Sequence, residues 1–298
     1  MKLTRSLSPK FIDTLNVLYN DEQSWWRKIA DDKDVFILIR NNELRIQANG
    51  GLLMQVNQDL QSNIICKIHE DFLSLRSEKN PYVVLEETSS GPIQRVEGLK
   101  GFVKHYSKIK RRINIFTGKE RQAVQYVANN VPEIVDIEIG FEGELKPNAS
   151  KKSVPRIDMA AITEKGTLVF FEVKLFGNSE IRSKKTPRVV DQLQRYQQLL
   201  SKKGNEIITA YQDQLNIYPQ LKGQFFKNRS RKIRDLSIHP HARLIVTDFD
   251  ASQRDLMLPT VQKAIEKGTG WAKENKDFIA TGDYKNLAKS NRLFLGLK

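Results

Sequence analysis

The chain has 298 residues, 39% apolar and 28% charged, with a net charge of +14 and a pI near 9.7. No apolar run approaches the roughly 18 residues of a membrane span, and M-K-L-T-R-S-L-S-P-K lacks the apolar core of a signal peptide. The single Cys66 has no internal disulfide partner, so a cytoplasmic protein is expected.

Residues 1 to 100 hold 13 Lys/Arg and 14 Asp/Glu, leaving 36 basic and 21 acidic residues to the remainder. A basic domain attached to a neutral one points to a polyanion partner, and nucleic acid is the expected one. The length accommodates two domains. Turn formers and low hydrophobicity in T-S-S-G-P-I-Q-R-V-E-G-L-K (88 to 100) place the boundary there. The expected units are an α+β domain over 1–95, for recognition or assembly, and a larger domain over 96–298.

Ser8-Pro9 opens a helix through Leu18, and Trp25 and Trp26 anchor a second short helix. V-F-I-L-I-R, E-L-R-I-Q-A and L-L-M-Q-V are separated by Asn41-Asn42 and Asn49-Gly50-Gly51, which predicts a three-stranded meander. Ile64, Ile65, Ile68, Phe72 and Leu75 suggest an amphipathic helix over 64–75, and Y-V-V-L after Pro81 a short strand.

From Lys104 to Arg112 five of nine residues are basic, either a solvated helix face or a backbone-phosphate contact. Thr117 to Asn130 reads as a helix, with Thr117 as its cap, Glu120 in its first turn and Val124, Val127 and Ala128 on one face. Ile134 to Phe141 alternates with period two, as a strand with one polar face does, and a polar loop follows from Glu142 to Lys152.

R-I-D-M-A-A-I and T-L-V-F-F-E-V-K-L-F flank Glu164-Lys165-Gly166, a three-residue hairpin loop with Gly in the left-handed position. With Thr163 opposite Thr167, Asp158 falls directly across from Glu172, with Cβ atoms about 4.5–5.5 Å apart. Alternation puts Lys174 on the same face. Both faces are otherwise apolar, so these strands belong to a sheet interior. Opposed carboxylates repel unless one is protonated or a cation lies between them. A hard divalent cation, Mg²⁺ or Mn²⁺, resolves the conflict, and phosphodiester hydrolysis is the chemistry implied. The competing account is a structural ion pair of Lys174 with Asp158 or Glu172.

Asp158, an apolar run and then Glu172-Val173-Lys174 resemble the PD-(D/E)XK nuclease superfamily, although Pro155 is displaced from its usual neighbouring place. Gln192-Leu193-Gln194-Arg195-Tyr196 is similar to the Q-x-x-x-Y helix motif of its RecB-like branch. The resemblance spans about residues 117 to 250. It implies an α/β, restriction-endonuclease-like core, a central mixed β-sheet flanked by helices, behind the small α+β domain. It also implies metal-dependent hydrolysis of DNA, in repair, restriction or phage defence. Asp158 and Glu172 are then metal ligands, Lys174 the catalytic lysine, Gln192 and Tyr196 substrate or hairpin contacts, and Ala242 to Asp248 a fourth core strand. Glu120 is the candidate for a further ligand, with Glu138, Glu142 and Glu144 as rivals.

Thr186 and Pro187 suit the start of the motif helix, whose inward stripe is Val189, Leu193, Tyr196 and Leu200. Arg182, Lys184, Lys185 and Arg188 precede or open it and are expected to meet DNA phosphates. So are Lys227, Arg229, Arg231 and Lys232, where Phe225 and Phe226 either stack bases or anchor an insertion. His239-Pro240-His241 and Cys66/His69 lack further zinc ligands and read as structural, and Gly268-Thr269-Gly270 as the turn ending a helix near Lys267. Two rival functions stay open. One is a catalytically inactive, nuclease-fold nucleic-acid-binding protein; the other is a protein-interaction module, binding a partner or a second copy through its N-terminal domain.

Overall fold

A computed structural model describes residues 3–73, 82–85, 98–141, 156–182, 186–271, 276–289 and 291–297. In chain order the elements begin with helices α1 (Pro9–Asn20) and α2 (Trp25–Ala30), then strands β1 (Val35–Ile39), β2 (Glu43–Ala48), β3 (Gly51–Gln58) and β4 (Ile64–His69). Helix α3 (Glu70–Leu73), β5 (Tyr82–Leu85), α4 (Gly98–Phe116), α5 (Lys119–Asn130), β6 (Ile134–Gly140), β7 (Arg156–Ile162) and β8 (Thr167–Leu175) follow. The rest comprises α6 (Arg188–Ile217), α7 (Gln224–Arg229), β9 (Ser237–Thr247), α8 (Ala251–Leu256), α9 (Leu258–Thr269) and β10 (Phe278–Ala280). The protein is thus α/β, and no helix among the described residues is long and apolar enough to cross a membrane.

The chain divides into two compact units, each discontinuous in sequence. One takes residues 4–129 and 210–232, the other 1–3, 130–209 and 233–298. This is not the 1–95/96–298 division expected from composition. Most of the turn-rich stretch on which that boundary rested lies outside the described residues. Over these ranges the first unit holds 24 Lys/Arg and 16 Asp/Glu, the second 25 and 19, so the excess of positive charge is shared.

The first unit is built on an antiparallel sheet in the order β1-β2-β3-β4-β5. The predicted meander is its first three strands. Ser8 caps α1 by accepting from the Phe11 N–H, and Trp25 and Trp26 are buried in α2. Over residues 64–73 the helix expected for 64–75 is instead strand β4 followed by the single turn α3, and Leu75 lies outside the described residues. Ile64, Cys66 and Ile68 fall at period two, and pairing with β3 and β5 satisfies a backbone that six residues of lone helix would leave half unbonded. Tyr82–Leu85 is the strand expected.

Helices α4 and α5 belong to this unit because their polar groups close the turn between β2 and β3. Gln125 is buried; its Oε1 accepts from Gly50 N at 2.8 Å and its Nε2 donates to the Gln47 carbonyl at 2.9 Å. Asn49 Nδ2 donates to the Lys110 carbonyl at 2.7 Å. Thr117 does not cap α5, since its hydroxyl donates back to the Ile113 carbonyl. Val124, Val127 and Ala128 are buried as expected. The basic run 104–112 lies in α4, where Lys110 pairs with Asp32 at 2.6 Å and Asp34 at 3.3 Å, and Lys104, Lys108 and Arg111 are exposed.

The second unit is built on a mixed sheet in the order β10-β9-β8-β7-β6, antiparallel from β6 to β8 and parallel from β8 to β10. Strands β7 and β8 are interior, and β9 contains the expected strand 242–248 up to Thr247. Edge strand β6 departs from simple alternation. It carries a register shift between Ile134 and Asp136, Glu138 has φ 53°, and Asp136 is fully buried rather than on a polar face. Helix α6 is interrupted at Lys203 (φ −111°, ψ 15°), and Gly270 ends α9 in the left-handed region (φ 72°).

The β7–β8 loop forms as its composition requires. Gly166 has φ 83°, its N–H donates to the Thr163 carbonyl at 3.0 Å, and Thr163 N–H donates to the Thr167 carbonyl at 2.9 Å. Met159, Ala160, Ala161 and Ile162 then face Phe171, Phe170, Val169 and Leu168, the register that the loop dictates. A Cβ on Gly166 would meet the Asp235 carbonyl oxygen at 2.5 Å. Gly166→Ala should therefore destabilise the protein by at least about 1–2 kcal/mol. An unchanged midpoint in chemical denaturation would show that the loop does not depend on this conformation.

Candidate active site

The hairpin register carries Asp158 and Glu172 onto the same row, one position beyond the Met159–Phe171 pair. Beyond that pair a side chain takes over from the backbone ladder: Asp158 Oδ2 accepts from Val173 N–H at 2.8 Å. Glu172 pairs with Leu244 and Lys174 with Val246 across the parallel β8–β9 contact, which keeps both charges on one face of interior strands. Their side chains are only 2% and 7% exposed, so water solvates neither.

Compensation for these charges comes from within the unit. Lys174 Nζ lies 2.7 Å from Glu172 Oε1 and 2.9 Å from Glu180 Oε2. Glu172 Oε2 lies 3.1 Å from the Tyr196 hydroxyl, which also donates to the Arg156 carbonyl and accepts from Gln192 Nε2 at 2.6 Å. Burial, and then the neighbouring Glu172 charge, push the Tyr196 phenol well above its ordinary value, so it serves as a protonated donor. The expected inward stripe, Val189, Leu193, Tyr196 and Leu200, is buried.

Five of the residues singled out from sequence thus converge: Asp158, Glu172, Lys174, Gln192 and Tyr196. Glu120 lies in the first turn of α5, in the other unit. Its rival Glu138 is in the same unit as the cluster, and the β6–β7 register sets it across from Asp158, with Oε2 3.3 Å from Arg156 Nη1. Glu142, Glu144 and Pro155 lie outside the described residues.

Two acids escaped sequence reasoning. Glu180 stands in a short 3₁₀ turn after β8, placed by Asn178, whose side chain accepts from its N–H at 3.0 Å. The cap signal is legible in Asn178-Ser179-Glu180; the reach to Lys174 is not. Asp136, paired with Ala160 and fully buried, was hidden by the apparent regularity of I-V-D-I-E-I-G.

Of the basic residues expected to meet phosphates, Arg182 and Arg188 are exposed in the unit that carries the cluster. Arg182 Nε donates to the Phe176 carbonyl at 2.8 Å. Lys184 and Lys185 lie outside the described residues. Lys227, Arg229, Arg231 and Lys232 fall in the other unit. Arg229 is not a surface contact: it is 4% exposed, donates to the Ala128 carbonyl at 2.8 Å and lies over the rings of Phe225 (4.2 Å) and Phe36 (4.8 Å). The reason is that Phe225 and Phe226 are core anchors rather than stacking platforms, packed against Phe36, Trp26 and Tyr218, and they draw the arginine stem inward.

The histidines of β9 join a separate charge cluster. Asp277 Oδ2 lies 2.9 Å from His241 Nδ1, and its Oδ1 3.4 Å from Arg243 Nε. Burial lowers the His239 pKa. By alternation Arg243 occupies the face of β9 opposite Leu244, and so opposite Glu172.

Asp158 and Glu172 offer hard oxygen donors, and Mg²⁺ often takes only one or two carboxylates while keeping water or substrate oxygens. The donor chemistry therefore fits a divalent cation at the lower limit of protein ligation. Among the described residues no group of three or more His, Cys, Asp or Glu side chains is placed to hold a metal ion. Comparison of the chain with family models, curated proteins and solved structures gives no match.

Tyr196→Phe removes the proton that bridges α6 to β7 and β8 and leaves buried acceptors short of a donor. The expected cost is about 1–3 kcal/mol in denaturant unfolding. A variant as stable as the parent would mean that the phenol does not brace the hairpin.

Proposed function

We propose that the protein is a divalent-metal-dependent nuclease acting on DNA, with Asp158, Glu172 and Lys174 as its reaction centre. The observation that carries this reading is the placement of two carboxylates and a lysine on one face of interior strands, where apolar residues would serve packing better. The motif's resemblance to PD-(D/E)XK nucleases of the RecB-like branch supports it, as does the net positive charge of both units.

Asp158 and Glu172 are the residues that would hold Mg²⁺ or Mn²⁺. The cation would polarise a phosphoryl oxygen and ease deprotonation of the attacking water. Lys174 sets a positive charge beside the reacting phosphate, where it offsets the negative charge of the transition state. Tyr196 and Gln192 fix the Glu172 carboxylate, and the Val173 N–H fixes one oxygen of Asp158. Arg182 and Arg188 supply exposed positive charge for the substrate backbone.

With Mg²⁺ or Mn²⁺, purified protein should nick circular DNA or degrade linear DNA, and Lys174→Ala, checked for folding by circular dichroism, should be slower by about 10²–10³-fold. Equal rates in the two proteins would refute the assignment of Lys174.

A second reading is favoured by the completeness of the ion pairs: Lys174 already has two carboxylate partners. The cluster would then be a structural remnant in a nucleic-acid-binding protein without catalytic activity. This reading expects DNA binding that weakens steeply with salt and is indifferent to divalent cations. Binding measured at several salt concentrations with Mg²⁺ or with chelator decides between the two.

A further inference from the structure

Lys174 is held by two carboxylates in very different surroundings. Glu172, two residues back on the same face of β8, is 2% exposed; Glu180 is 41% exposed, in the turn that follows β8. The turn is not loose. Asn178 accepts from the Glu180 N–H, and Arg182 donates to the Phe176 carbonyl while its guanidinium lies 5.4 Å from the centre of the Phe176 ring. Glu180 is therefore presented to Lys174 by a closed backbone feature.

The arrangement poses a conflict. Glu172 Oε1 is the oxygen that Lys174 engages at 2.7 Å, so a divalent cation arriving at this carboxylate meets an ammonium already bound to it. Two cations cannot both be fully stabilised by one carboxylate. Lys174 cannot retreat into bulk water, because its side chain is buried. Glu180 is the second carboxylate within its reach.

We propose that Glu180 is a positioning residue that takes over Lys174 when a divalent cation occupies Glu172. It frees the Glu172 oxygen while keeping the ammonium in the site. This inference rests on the reading of Glu172 as a metal ligand. Without Glu180, Lys174 keeps its hold on Glu172 and competes with the metal.

The test is calorimetric titration of the full chain with Mn²⁺ and no nucleic acid, so that activity is not the readout. Glu180→Gln should weaken Mn²⁺ binding about fivefold or more. Glu180→Asp keeps the charge but is one methylene too short to retain Lys174, and it should weaken binding nearly as much. In a Lys174→Met background, Glu180→Gln should have no further effect, the signature of action through the lysine. Binding by Glu180→Asp equal to that of the parent would reduce Glu180 to a general electrostatic contribution and overturn the proposal. A Glu180→Gln effect that persists in Lys174→Met would instead make Glu180 a direct ligand, and overturn it too. If Lys174→Met does not fold, the comparison of Glu180→Asp with the parent decides alone. Failure of the parent itself to bind Mn²⁺ would remove the proposed function along with this inference, whereas Mn²⁺ binding indifferent to Glu180 would remove the inference only.

Discussion

A charged side chain inside a sheet face has to be answered by partners from its own fold, and Glu172 and Lys174 impose that demand on everything near them. The phenol of Tyr196 reaches Glu172 with the amide of Gln192 behind it, the carboxylate of Glu180 reaches Lys174, and the Val173 N–H holds Asp158 beside them. They come from three places: helix α6 for Gln192 and Tyr196, the turn after β8 for Glu180, and strand β8 itself for Val173. A buried ion pair is weak as a source of stability, since well-packed apolar residues commonly do as well or better. The extent of the supporting structure is therefore better understood as serving the position of the charges than as holding the sheet together.

Local chemistry was legible and long-range assembly was not. The hairpin could be read because a three-residue loop with a left-handed Gly166 admits one register, and that register alone sets Asp158 across from Glu172. The segment 64–69 was misread because Ile64, Ile65 and Ile68 satisfy a helical spacing while Ile64, Cys66 and Ile68 satisfy an extended one, and only pairing with β3 and β5 chooses between them. The unit boundary was invisible for a related reason. Gln125 is an ordinary polar residue of a helix until its amide is seen to close the Asn49-Gly50 turn, 75 residues earlier. Arg229 likewise looked like one more cation in a basic run; aromatic neighbours from β1 and α7 turned it inward.

The Q-x-x-x-Y spacing has an instructive duplicate. In the second half of α6, Gln214 donates to Tyr218 as Gln192 does to Tyr196, and both members of the second pair are buried in the unit without the carboxylate cluster. Four residues is one turn of helix, so the spacing by itself reports only that a glutamine amide can reach a tyrosine hydroxyl. What singles out the first pair is where its hydroxyl goes next, to the Arg156 carbonyl and Glu172.

The sheet of β1 to β5 belongs to a unit assembled from two stretches, 4–129 and 210–232, with residues 130–209 of the other unit strung between them. Helix α7, which brings Phe225, Phe226 and Arg229 onto Phe36 and Trp26, thus leaves the ribosome only after residues 130–209 of the other unit have been made. Chains ordinarily fold domain by domain as they emerge, and apolar surface left bare in the interval invites aggregation. The sheet synthesised first therefore waits for α7 while residues 130–209 of the other unit are made, and chaperone dependence during that interval should centre on the aromatic face of Trp26 and Phe36.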